Sequence, residues 1–262
     1  MICNKNYFKS IILFIALFGF HNLFSQDSLS KSRNAKKWQF LVEPYLMFPN
    51  MNGKTGVGNL PDVSVDANPG DIFSKLQMGA MLNLEASNDT WAIATDFIYM
   101  NLKQDVTSGL VIQNGELSAK QFAWELAGFR RVAPWLEVGI GGILSSVQAE
   151  ANINVNNIGG GSTNRVKKQS QTWYDPMLIA RIKHNPVKKF MYEFRGEIGG
   201  FGIGSNFAWQ VQAYAGYRFT KLFHITAGYR VISLNYQTGE GEDRFLYDIN
   251  TFGPVIRFGF NF

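Results

Sequence analysis

Cysteine is nearly absent from this sequence: Cys3 is the only one among 262 residues. A single cysteine excludes a disulfide framework and a cysteine-ligated metal site. A bacterial lipoprotein carries its cysteine directly after an apolar export segment, whereas Cys3 precedes the apolar run at residues 11–20. The sequence therefore argues against lipid attachment at this residue.

Long apolar runs are also scarce, and the mean hydropathy is only −0.09. The run at residues 11–20 (IILFIALFGF) follows Lys5 and Lys9 and is short for a transmembrane helix. We predict a signal peptide over residues 1–25, cleaved after Ser25, with an uncleaved anchor as the alternative. Residues 26–36 are polar and predict a short periplasmic tail. No later stretch approaches 18 apolar residues, which excludes helical membrane spans.

Basic clusters of the kind that bind nucleic acid are missing too. The sequence holds 25 Lys and Arg against 20 Asp and Glu. Residues 1–25 contain two of the lysines and no acid, so the remainder carries a net charge of only +3. Its basic residues form nothing longer than pairs near strand ends or in loops, where contact with solvent or lipid headgroups is expected. We predict no nucleic-acid partner.

What the sequence does contain is alternation of apolar and polar residues, together with 15% aromatic residues and 26 glycines. The alternating segments are residues 38–48, 76–85, 91–99, 121–126, 136–145, 175–182, 190–198, 207–219, 223–231 and 252–262. Strands of about 10 to 14 residues suit a membrane barrel, whereas soluble proteins use nearer five or six. We predict an all-β, transmembrane, antiparallel up-and-down β-barrel over residues 37–262. It has about ten strands, or eight if a hairpin has been divided wrongly.

The connections between these segments alternate in length. Short turns are predicted at 87–90, 131–134, 185–188 and 220–222. Longer polar connections are predicted at 49–75, 103–118, 149–172 and 237–244, with 200–205 the shortest of this group. Bacterial outer-membrane barrels have short periplasmic turns and longer extracellular loops. The pattern therefore places both termini in the periplasm of a Gram-negative bacterium.

The apolar face of the strands is predicted to face outward, toward lipid. A soluble barrel such as a lipocalin would instead line its interior with apolar residues. Here aromatic residues cluster at both strand ends, as in the girdles of membrane barrels. These residues are Trp38, Trp91, Trp135, Phe190, Phe219, Phe223 and Phe262 at the short turns, and Phe48, Tyr99, Trp173 and Phe207 at the long connections. The final strand ends in Phe262, which resembles the signal read by the barrel-assembly machinery.

The chain resembles a family of small, porin-like outer-membrane barrels of Gram-negative bacteria. The matching segments are Leu76–Glu85, Trp91–Leu102, Tyr174–Arg181, Arg195–Phe219, Gly228–Tyr236 and Phe245–Phe262. This resemblance implies the barrel fold and the outer-membrane location, with membrane lipid and lipopolysaccharide as surroundings. It implies little about chemistry and nothing about the oligomeric state.

Charged residues on the opposite parity are predicted to line the lumen. The first five strands supply acids and the last five supply every arginine of the set: Glu43, Glu85, Asp96, Glu125, Glu137, Asp175, Arg181, Glu193, Arg195, Glu197, Arg218, Arg230 and Arg257. In a closed ring the two halves face each other, so acids should meet arginines, since buried charges must be paired. Such a set predicts either a structural network that fills the lumen or a narrow channel with a charged constriction.

Residues suited to catalysis are few. The two histidines beyond the export segment, His184 and His224, lie near short turns, and we interpret both as turn or interface residues. No Ser–His–Asp set can be placed at the outer rim without a histidine there. The acids in the long connections lack the ligand order of a calcium loop. We therefore predict no enzyme, no metal site and no cofactor.

The leading hypothesis is a non-enzymatic outer-membrane barrel with a structural or surface-interaction role. Two alternatives stay open. One is a narrow, porin-like passive channel for small solutes. The other is an adhesin or receptor that acts through the connections at 49–75 and 149–172.

Overall fold

The computed structural model describes residues 37–59, 61–106, 112–156, 162–183 and 189–262, except for the side chains of residues 112, 113 and 156. The predicted signal peptide and tail lie outside the described residues. The strands are β1 Gln39–Met47, β2 Asn50–Val57, β3 Val63–Ala67, β4 Leu76–Ser87, β5 Trp91–Val106, β6 Ile112–Ala133, β7 Leu136–Asn156, β8 Ser162–Lys183, β9 Phe190–Gly199, β10 Phe207–Arg218, β11 Phe223–Thr238 and β12 Phe245–Asn261. Helix α1 spans Pro69–Lys75, and a short 3₁₀ turn spans Gly241–Asp243.

Ten of the strands close into a ring. The order is β1, then β4 through β12 in sequence, and β12 pairs back onto β1. All of these pairings are antiparallel, and Leu41 pairs with Asn261 where the ring closes. The prediction of an all-β, antiparallel, ten-stranded barrel is therefore confirmed. The barrel has a turn end, with the short connections and Phe262, and a hairpin end, with the longer connections.

Strands β1 and β2 form one interrupted strand along β12. Met47 pairs with Val255 and Asn50 pairs with Phe252, so the register continues across the gap. The interruption falls at Phe48 and Pro49 because proline has no N–H to give to a ladder. Beyond the gap, β2 folds back through β3 and α1 into β4.

The prediction of long polar loops is wrong for most of the hairpin end. Strands β6, β7 and β8 have 22, 21 and 22 residues, so they occupy most of 103–118 and 149–172. The connection at 49–75 likewise contains β2, β3 and α1. A strand outside the membrane has water on both faces, so its sequence loses the apolar alternation by which strands were recognised. Crossing a membrane takes about 9–11 residues, so about half of each of these three strands lies beyond it.

The remaining connections are short as predicted, although the turn predicted at 131–134 lies at 134–135 because β6 continues to Ala133. Asn88–Thr90, Pro134–Trp135 and Phe219–Leu222 join strands at the turn end, while 185–188 lies outside the described residues. The β9–β10 connection at the hairpin end is a tight turn. There Gly200 and Gly202 have φ values of 81° and 74°, a conformation that glycine adopts without strain.

The outer face carries the predicted apolar residues. Trp38, Trp91, Trp135, Phe190 and Phe262 are all exposed at the turn end. No helix in the described part of the chain is long and apolar enough to span a membrane.

One girdle residue was assigned wrongly: Trp173 is buried inside the barrel rather than exposed. It stacks on Tyr236 with ring centroids 4.2 Å apart, and Tyr247 and Phe245 extend the same buried cluster. Trp173 has the inward parity of β8, and its position beside a long connection hid this. The lumen toward the hairpin end is therefore filled by an apolar core.

Candidate functional site

Below the apolar core, inward-facing polar side chains form a central cluster across the lumen. Its members are Tyr45, Asp96, Glu125, Arg195, Glu197, Gln210 and Arg230, and all are buried. They come from six strands, namely β1, β5, β6, β9, β10 and β11. Each lies on the parity that faces away from lipid, and the antiparallel register brings them to the same level.

Arg230 is the most connected member. Its Nη1 contacts Asp96 Oδ2 at 2.7 Å and donates to the Tyr45 hydroxyl at 2.9 Å, while its Nε donates to Gln210 Oε1 at 2.9 Å. The Tyr45 hydroxyl donates to the other Asp96 oxygen at 2.8 Å. Asp96 on β5 is thus held by two groups from other walls of the barrel.

Gln210 links this part to a second ion pair. Its amide nitrogen donates to Glu125 Oε2 at 2.9 Å and to Glu197 Oε1 at 2.6 Å. Arg195 Nη2 contacts Glu125, and Arg195 Nε lies 2.6 Å from Glu197 Oε1, although its alignment is poor for a hydrogen bond. Two arginines and three acids therefore share one connected cluster.

A second group, the Arg181 cluster, lies nearer the turn end. Arg181 contacts Glu85 at 2.5 Å through Nη1 and Glu137 at 2.5 Å through Nη2, and its guanidinium lies 4.2 Å from the centre of the Phe129 ring. Lys183 binds the second oxygen of Glu85 at 2.7 Å. Arg131 binds Glu137 at 2.8 Å, although it was not among the predicted lumen residues.

A third group surrounds Glu43. His224 Nε2 lies 3.0 Å from one oxygen of Glu43, and Asn83 donates to the other at 2.9 Å. Arg257 lies 3.6 Å from Glu43 and stacks over the Tyr214 ring at 3.8 Å. The interpretation of His224 as a turn or interface residue is wrong, since its side chain is only 1% exposed and faces the lumen. His184 lies outside the described residues.

Two of the predicted lumen residues, Asp175 and Arg218, lie apart from these ion pairs, and a third, Glu193, lies at their edge. Asp175 is completely buried, but it binds the β9–β10 turn: Ser205 donates its backbone N–H at 2.5 Å and its hydroxyl at 2.9 Å. Glu193 is only partly buried and lies 3.9–4.0 Å from Arg257 and Arg181. Arg218 has no carboxylate within 4 Å among the described residues.

Sequence reasoning also missed neutral members of these groups. The parity of Tyr45, Gln210 and Gln212 shows that they face inward. They are missed because only charged residues were considered as lumen residues. Gln212 accepts from Arg257 at 2.8 Å. Their amide and phenol groups form hydrogen bonds with charged atoms that the ion pairs do not fully satisfy. Members of such a cluster are therefore best sought among all inward-facing polar residues, not only among the charged ones.

The central cluster separates two cavities. On the hairpin side lies an apolar cavity of about 60 Å³ whose walls include Met47, Met51, Met81 and Met100. On the turn side lies a polar cavity of about 580 Å³, here called the vestibule. Among the described residues, no group of three or more His, Cys, Asp or Glu is arranged to hold a metal ion.

Solved structures with a similar fold are outer-membrane β-barrels. The outer membrane protease OmpT of Escherichia coli matches with a TM-score of 0.51 and 13% identity, over 91% of this chain and 99% of that chain. Ail, the attachment invasion locus protein of Yersinia pestis, matches with a TM-score of 0.34 and 11% identity, over 86% and 98% of the two chains. The toluene transporter TodX of P. putida matches with a TM-score of 0.35 and 7% identity, over 86% and 90%.

The chain thus has the fold of outer-membrane β-barrel proteins. At these identities the likeness concerns the fold alone. No family model matches the sequence, and no curated protein matches it either.

Proposed function

We propose that this chain is a non-enzymatic outer-membrane barrel with a closed lumen, which acts through the surface of its hairpin end. In this proposal residues 1–25 are a cleaved export signal, and Phe262 is read by the barrel-assembly machinery. The turn end then faces the periplasm and the hairpin end faces the exterior, as in other bacterial barrels. Membrane lipid and lipopolysaccharide surround the barrel.

The observation that carries the closed lumen is the central cluster. A hydrated pore keeps its wall charges apart and solvated, whereas here Arg230 and Arg195 make direct contacts with acids on strands four and three places away around the ring. Above them the Trp173 stack fills the lumen with apolar side chains. Opening a path would break buried ion pairs and expose their charges singly, which costs several kcal/mol.

The long strands support a surface role. About ten residues each of β6, β7 and β8 exceed what a membrane crossing needs. From Ser162 to Lys168 every β8 residue is exposed, and Arg165, Lys167 and Lys168 make this margin basic. A non-enzymatic role fits the position of His224, which is buried near the turn end in contact with Glu43.

Planar-bilayer recording of the refolded barrel, residues 26–262, tests the closed lumen. We expect no steady conductance from protein whose folding is verified by its shifted gel mobility without heating. Steady, salt-dependent single-channel steps would overturn the closed lumen. Such steps would establish the alternative, a narrow passive channel. The 580 Å³ vestibule favours this alternative, because the vestibule leads directly to the central cluster.

A shortened hairpin tests the surface role separately. Gln148 and Ser170 pair across β7 and β8, so joining them through a two-residue Asn-Gly turn removes the outer part of the hairpin without disturbing the barrel wall. Cells that display the shortened barrel should lose the adhesion that the full-length barrel confers. Equal adhesion of both would exclude this hairpin as the contact surface.

A further inference from the structure

The vestibule is unusual in its charge. It is lined by seven Lys and Arg side chains and three Glu side chains, and three of the cations, Arg181, Lys183 and Arg195, also contact acids outside this lining. Buried charges in proteins are normally paired, and the central cluster beside it follows that rule. The vestibule cations that no acid contacts are therefore the groups with which a negatively charged ligand would pair.

Arg218 is the clearest unpaired cation. Its Nη2 contacts only the Met191 sulfur, at 3.9 Å, and its buried Nε has no hydrogen-bond partner in the described part of the chain. Lys37 and Lys221 also line the vestibule as solvent-exposed cations, and neither has a carboxylate within 4 Å among the described residues. By contrast, Arg181 and Arg195 are each paired with two acids.

Two further donors lie in the same wall. Thr226 Oγ1 and Arg257 Nε are both buried without a partner in the described residues, and both residues line the vestibule. Thr226 pairs with Arg257 across β11 and β12, and Arg218 pairs with His224, two residues before Thr226. The register therefore places Arg218, Thr226 and Arg257 at neighbouring positions on three adjacent strands.

We infer that the vestibule is a binding site for a small oxyanion with more than one negative charge, such as a phosphate ester or a polycarboxylate. Arg218 and Lys221 supply charge at its mouth, and Thr226 and Arg257 supply donors deeper in the wall. A guanidinium group can donate two parallel hydrogen bonds to two oxygens of a phosphate or carboxylate. The volume of about 580 Å³ lies within the range of small-molecule sites.

This inference does not need the lumen to be closed. The inference rests on the proposed function in one respect only, the side of the membrane from which the ligand enters. With the turn end facing the periplasm, the ligand enters from the periplasm. A barrel that conducts ions and also binds an oxyanion would refute the closed lumen and leave the site intact.

Isothermal titration calorimetry on the refolded barrel, residues 26–262 in detergent at low ionic strength, tests the site. Pyrophosphate and citrate are the two probes. We expect saturable binding of at least one of them at about one per barrel. Binding of pyrophosphate alone would assign a phosphate site, and binding of both would assign a general oxyanion site.

The matched variants are Arg218→Gln and Arg244→Gln. Arg244 is an arginine at the hairpin end, 2.7 Å from Asp62 and outside the vestibule. Arg218→Gln should weaken binding by about 10- to 100-fold, as expected for a lost hydrogen bond to a charged group, while Arg244→Gln should leave it unchanged. Equal weakening by both variants, or no binding to a folded wild-type barrel, would overturn the site.

Discussion

Neutralising Arg230 should be among the most destabilising single changes in the barrel. The variant Arg230→Gln removes the contact with Asp96 at 2.7 Å and the hydrogen bonds to Tyr45 and Gln210, both at 2.9 Å. Asp96 would then keep only the Tyr45 hydroxyl as a partner in a site that is 5% exposed. Removing one member of a buried pair costs about 3–5 kcal/mol, because the other charge is left uncompensated.

Two features of the site refine that magnitude. The apolar cavity of about 60 Å³ touches Asp96, and it has room for roughly one or two waters that could solvate the carboxylate. The shorter Gln side chain would also keep some polar contact. We therefore expect a loss nearer 3 than 5 kcal/mol.

Urea unfolding of the barrel in lipid vesicles, followed by tryptophan fluorescence, measures this loss through the midpoint and the slope. Arg218→Gln is the control, since that side chain pairs with no acid in the described residues and should cost under about 1 kcal/mol. Combining Arg230→Gln with Asp96→Asn should recover part of the loss, because it removes the stranded charge. The reasoning is refuted if Arg230→Gln unfolds like the wild type, or if both arginine variants cost the same.

Two further predictions concern the hairpin end and the orientation of the barrel. Hydrogen bonding from Arg244 lowers the pKa of the Asp62 carboxyl. This contact therefore stabilises the β2–β3 connection above the ordinary pKa of about 4 and is lost as the pH falls through the lowered pKa. Carbon-13 NMR titration should place the midpoint for Asp62 below about 4, and an ordinary midpoint would contradict the contact. For orientation, a membrane-impermeant maleimide should label Lys168→Cys but not Lys221→Cys on intact cells; labelling of only the latter would reverse the assignment.

The local pattern of the sequence determined the barrel itself. Ten segments alternate because one face of each strand contacts lipid and the other faces the lumen. Successive residues of each strand are therefore apolar and polar in turn. Parity alone also identified Glu43, Asp96 and Arg230 as inward. The short turns were visible because few residues separate successive apolar runs.

The lengths of the strands needed the tertiary structure. Outside the membrane both faces of β6, β7 and β8 contact water, so the contrast that revealed a strand disappears. Their continuation depends on hydrogen bonds to neighbouring strands rather than on side-chain polarity. Trp173 was misassigned for a related reason, since its position near a long connection outweighed its inward parity.

The partners of the lumen charges were also decided only by the fold. Parity states that a side chain faces inward, but its level along the barrel depends on the register of every intervening strand. Asp175 and Asp96 are alike in parity, yet one binds the β9–β10 turn through Ser205 and the other binds Arg230 across the lumen. Arg218 faces inward as predicted but lies at a level where no acid reaches it. The contact of Arg230 with Asp96 is a property of the closed ring, because it joins two strands whose residues are 134 positions apart in sequence.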